Sequence, residues 1–135
     1  MSYQTVLDGL QERLETLPGI VDVLQYEPSS FGDTPLVLLL IDHFEDATQG
    51  QVVGTRYFVL MRLVVKWTDN EEAELEIIPY IDSIPAAIQA DRQLGGRIRR
   101  GMATKPGGEG GYIDAGGVRY RIVDFVTEVL DKPEM

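Results

Sequence analysis

Cysteine is absent from this sequence, which excludes disulfides and thiolate metal sites. Histidine occurs once, at His43, and tryptophan once, at Trp67. Positive charge is scarce: 12 Lys and Arg stand against 22 Asp and Glu, a formal net charge of −10. A nucleic-acid binder usually carries a positive footprint, and single-strand binding rests on aromatic residues interleaved with basic ones. Neither pattern is present, so sequence-specific nucleic-acid readout is not expected. No apolar run approaches the roughly 20 residues that a membrane-spanning helix needs. The N-terminal MSYQTVLDGLQ lacks a basic region followed by an apolar run, so no signal peptide is expected.

What is present points to one domain over residues 1–135. Apolar residues make up 44% of the chain, and a chain of this size buries roughly two-thirds of its unfolded surface. The stretch Asp69–Gly96 is its centre, read as one helix laid across a sheet. Asp69 or Asn70 can cap its start, and Glu71, Glu72 and Glu74 complement the positive end of the helix dipole. Ile77, Ile78, Ile81, Ile84 and Ile88 recur at three- and four-residue intervals, which predicts one apolar stripe. Gly95-Gly96 stops the helix. Pro79 and Pro85 predict a kink or a break, with Pro79 the boundary.

The expected fold is α+β: a mixed, mostly antiparallel sheet of about four to five strands, with an N-terminal helix and the central helix packed on it. Residues 3–17 place Tyr3, Val6, Leu7, Leu10, Leu14 and Leu17 on one helical face, ended by Pro18-Gly19. Residues 19–26 are a short strand, and 27–35 a loop in which Phe31 is exposed unless it docks. Leu36 to Phe44 is apolar on both strand faces, as in a strand covered on both sides. In 51–67 the odd positions from Tyr57 to Trp67 are all apolar and the even ones mixed. That strand is long enough to overhang the core, and its mixed face can meet another subunit, with Arg62 and Lys66 at the rim. A strand follows over 97–104, then a flexible glycine-rich loop over 105–111. A hairpin turns about Gly116-Gly117, and its last strand carries a bulge near Ile122 to Asp124, where the apolar face switches.

No catalytic signature stands out. Asp42, His43, Phe44, Glu45 and Asp46 contain hard-metal or acid–base groups, but neighbours on a strand point to opposite faces, so a turn of solvated acids is expected. Ser29 or Ser30 with His43 lacks the spacing of a nucleophile elbow. The glycine run opens no helix and has no following Lys-Ser or Lys-Thr, so it is not a phosphate cradle. Charge is segregated: residues 1–55 hold nine acids and the single base Arg13, whereas 92–105 hold Arg92, Arg97, Arg99, Arg100 and Lys105 without an acid. Such ends can pair between copies, or can be two solvated faces. The candidate contact residues are therefore Arg62, Lys66, Arg97, Arg99 and Arg100 on the basic side, with Asp42, Glu45 and Asp46 on the acidic side.

The segment IDSIPAAIQADRQLGGRIRR, an isoleucine-rich helix followed by Ala90-Asp91, Leu94-Gly95-Gly96 and a strand, resembles the tail terminator and tail-completion proteins of long-tailed bacteriophages. The order of elements resembles theirs along nearly the whole chain. The resemblance implies a non-enzymatic, cofactor-free virion protein of the tail, assembled in the host cytoplasm. It implies a homo-oligomeric ring, commonly six-fold, that caps the tail tube, stops its growth and meets the head connector. DNA would pass through the lumen, which a net negative ring suits. The alternatives are another neck or head-closure component, a small α+β module that binds a ligand or peptide between sheet and helix, and a hydrolase using His43.

Overall fold

The computed structural model describes residues 2–98 and 101–131. Helix α1 spans Tyr3–Leu14, capped by Ser2, whose hydroxyl accepts from the Thr5 amide at 3.2 Å. Strands β1 (Asp22–Leu24), β2 (Leu36–Asp46) and β3 (Thr55–Lys66) follow, then helix α2 (Asn70–Ala90). Three strands close the chain: β4 (Gly101–Ala103), β5 (Gly107–Ala115) and β6 (Val118–Asp131). They form one six-stranded sheet in the order β1-β2-β3-β6, with β4 and β5 both on the outer side of β6. Only β1 and β2 are parallel. The architecture is the expected α+β, with six strands where about four to five are expected.

Both helices cover the same face. Val6, Leu10 and Leu14 of α1 and Ile77, Ile84 and Ile88 of α2 bury against Val37, Leu39, Val59, Met61, Leu63, Val123 and Phe125. The second face is covered at one end only. There Phe31 docks on Tyr120, edge to face at 4.8 Å, over Leu36, Leu38, Val64 and Ile122.

Several expectations change. Helix α2 is continuous through Pro79 and Pro85. Each proline leaves the carbonyl four residues earlier without a helical donor, Leu75 and Ile81 respectively. Both residues are exposed, so water can replace the missing donor. The buried stripe is Ala73, Ile77, Ile84, Ala87 and Ile88, while Ile78 and Ile81 face outward. The helix ends at Ala90, before the glycines, and Leu94, Gly95 and Gly96 all have positive φ in the turn beyond it. Of the strand expected over 97–104, Gly101–Ala103 is strand, and Arg99 and Arg100 lie outside the described residues.

The glycine-rich segment expected as a loop is largely strand, since Gly107 to Gly111 pair with Val126 to Ile122. At Gly108 a side chain is excluded, because a Cβ there would lie 2.5 Å from the Asp124 carbonyl oxygen; one on Gly110 would lie 2.7 Å from the movable Arg121 guanidinium. The bulge expected in the last strand is absent. Register between β3 and β6 is unbroken from Thr55↔Asp131 to Lys66↔Tyr120. The apparent switch arises because β6 is buried on its even face at Tyr120 and Ile122 and on its odd face from Val123 to Val129. The register shift falls instead in β2, between Ile41 and His43.

Candidate interaction surfaces

Beyond Leu40 the β2–β3 hairpin overhangs the core, and Ile41 to Asp46 are all exposed. The register shift leaves Asp42 without a partner on β3. His43 consequently pairs with Phe58 and stacks on its ring, at 4.1 Å and 8°. It lies 2.6 Å from Asp42 through Nδ1 and 3.3 Å from Glu45 through Nε2. These acids, the Asp42 hydrogen bond above all, raise the imidazole pKa above its ordinary value. Asp46 accepts from the amide and hydroxyl of Thr48, which lowers its own pKa. The bulge thus brings Asp42 beside His43, from which strand alternation would separate it, while Glu45 shares a face with His43 in any case. Among the described residues no group of three or more His, Asp or Glu is placed to hold a metal.

Arg62 lies within the second sheet face, paired in register with Asp124. Its guanidinium donates to both Asp124 oxygens, at 2.8 and 3.1 Å, with Glu27 at 3.7 Å, and the Asp124 hydrogen bond raises its pKa further. Around this pair the second face is bare. Leu40, Leu60 and Val126 form one row across β2, β3 and β6, and Leu130 and Met102 pair one step from Arg56–Glu128, itself at 3.0 Å. Lys66 is exposed at the opposite end of β3. Sequence reasoning missed Asp124, Glu128 and this apolar row, because only cross-strand register reveals them.

The basic segment is partly neutralised within the chain. Arg97 pairs with Glu12 of α1 at 2.7 Å. Arg92 accepts from the Ala103 amide through its carbonyl, at 2.7 Å, and its guanidinium donates to the Ala103 carbonyl at 3.0 Å, closing the edge of β4. Arg99 and Arg100 are outside the described residues. The predicted contact residues therefore do not form one site: the acids gather at the hairpin tip, Arg62 sits mid-face, and Arg97 is tied to α1.

Among the described residues, the outer sides of β1, β4 and β5 and the stretch of β2 beyond Leu38 have no strand partner, and the long ones are β2 beyond Leu38 and β5. Beside β5 lies a cleft of about 270 Å³, floored by Gly108, Gly110 and Phe125 and walled by Ile77, Ile81 and Pro85 of α2. Its volume falls below the roughly 300–1,000 Å³ usual for small-molecule sites. Arg121 spans one end, 2.7 Å from Glu74, with Tyr112 against its guanidinium at 4.9 Å.

These features define an α+β protein whose distinctive surfaces are a half-covered sheet and two long open edge stretches, on β2 and β5. No protein-family model and no curated protein matches the chain. Among solved structures it is similar to a chain of a particle described as "Virion of native gene transfer agent (GTA) particle". The likeness covers 98% of this chain and 100% of that one, at 12% identity and a TM-score of 0.56, and establishes a shared fold.

Proposed function

We propose that this chain is a non-enzymatic structural protein of a virion, specifically a tail terminator. Copies close into a homo-oligomeric ring on the end of the tail tube, stop its growth and present a surface to the head connector. The observation that carries this reading is the end-to-end likeness to a gene transfer agent virion chain, which leaves neither chain with an unmatched domain. The surfaces support it. A ring needs a heterologous contact, one patch meeting a different patch on the next copy. The chain offers dissimilar edges on opposite sides of its sheet, and a bare second face for the tube or the connector. A net charge of −10 suits a lumen that DNA crosses without adhering.

A tube-growth assay tests the reading. Tail-tube protein polymerising with this chain is expected to give tubes of arrested length, each bearing a ring at one end by negative-stain microscopy. Tubes that elongate unchanged, with the chain remaining in the supernatant, would reject it.

A further inference from the structure

The geometry points to how neighbouring copies join: the overhanging outer edge of β2, Ile41 to Asp46, pairs with the open edge of β5 on the next copy, seating Phe44 in the glycine-floored cleft. This rests on the ring reading above and names its contact.

The first argument is the edges themselves. An exposed strand edge is a template for another chain, and proteins usually guard it. Here β4 is closed by Arg92, the start of β2 is covered by β1, and β1 itself offers only three residues, so the two long open stretches are the distal half of β2 and β5. Both are long: β5 has nine residues, and β2 runs on well past its last β1 partner, Leu38.

The second argument is direction. β2 and β6 run one way, β3, β4 and β5 the other. Rotation about an axis roughly along the strands preserves these directions, so β2 of the next copy meets β5 antiparallel and continues the alternation. β1 occupies the lane beside Leu36 to Leu38, so the next copy must be staggered along the strands for the distal half of β2 to reach β5. Stagger of this kind is what a sheet closing into a barrel requires.

The third argument is complementarity. Ile41 and Phe44 are 62% and 68% exposed, with no role in their own core. Their register partners, Val59 and Tyr57, place them on the helix-side face. On that face the β5 edge offers Gly108 and Gly110, which carry no side chain, and the exposed Ile81 of α2. Lys105 lines the cleft and can meet the Asp42 and Asp46 carboxylates of an incoming tip, while Glu109, which also lines it, shares the second sheet face with Glu45.

Because the chain has no cysteine, cross-linking reads the contact cleanly. Phe44→Cys and Ile81→Cys, both at exposed positions, are made as separate variants and oxidised alone and mixed. The expected result is a covalent dimer in the mixture only. Leu75→Arg, on the other flank of α2, added to the Ile81→Cys variant leaves that dimer in place. Phe44→Arg abolishes assembly, with a melting temperature equal to that of the parent monomer. Rings on tubes without a mixed cross-link would overturn this contact and leave the ring reading standing. A cross-link in either variant alone would mean like-with-like pairing and would also overturn it. No assembly at any concentration, with or without tubes, would remove both.

Discussion

The side chain of Leu94 adopts a backbone conformation that residues with a Cβ rarely visit, φ 52°, and is fully buried. It reaches that position because Gly9 on α1 leaves room: a Cβ there would lie 2.8 Å from the Leu94 Cβ. Gly9→Val is therefore expected to lower stability by about 1–3 kcal/mol, the usual range for overpacking, measured by urea denaturation. At the hairpin tip, His43 is the one imidazole in the chain, so its proton NMR titration is unambiguous. Its pKa is raised in the folded protein, chiefly by the Asp42 hydrogen bond. Folding therefore favours the protonated form: the contribution is complete below the unfolded value near 6.5 and is lost as pH rises through the folded value. A midpoint above 6.5 is expected, and Asp42→Asn is expected to bring it down. A midpoint at or below 6.5 would contradict the geometry of the tip. Arg62→Ala leaves the Asp124 carboxylate, on a half-buried sheet face, without its donor, and a loss of about 1–3 kcal/mol is expected by the same denaturation.

Among the elements, α2 and β5 carry the site, and the sequence described them unequally. The helix was legible from its cap, now seen as the Glu72 amide donating to Asp69 at 2.8 Å, and from its isoleucine spacing. What was not legible was which isoleucines turn inward, because five isoleucines span more of the helix circumference than one contact can bury. Pro79 reads as a boundary because propensity counts the lost donor and not the exposed setting of Leu75, where water can take its place. Pro79→Ala restores that donor and is expected to raise the melting temperature, up to the roughly 3 kcal/mol by which proline disfavours a helix interior. Glycine in β5 reads as a loop signal, whereas at Gly108 it marks a place where a Cβ would meet the Asp124 carbonyl. Gly108→Ala is expected to destabilise the β5–β6 pair, read as faster amide exchange along Gly107 to Gly111. Unchanged exchange would mean that the Asp124 carbonyl yields. The β2 bulge had no sequence signal, since Asp42 fits an ordinary strand, yet it sets which way Phe44 and His43 face.

At the scale of the molecule, fold class, helix order and the overhanging hairpin followed from periodicity, but the interaction surfaces did not. Charge blocks in the sequence suggested an acidic and a basic end. Folding spends part of the basic block inside the chain, on Glu12 and on Ala103, and leaves open strand edges as the main features through which copies can meet. Charge counted along a sequence cannot anticipate internal pairing, and edges exist only once strand order is known. On the reading proposed above, copies of this chain form a closed ring through dissimilar surfaces. The most direct test of that reading is the mass of the assembled species at tail-tube ends, by scanning transmission microscopy with rotational classification of end views. The account expects one rotational symmetry and a mass that is that integer times 15.1 kDa. Single copies bound at scattered positions along the tube, or open chains of variable length, would contradict it.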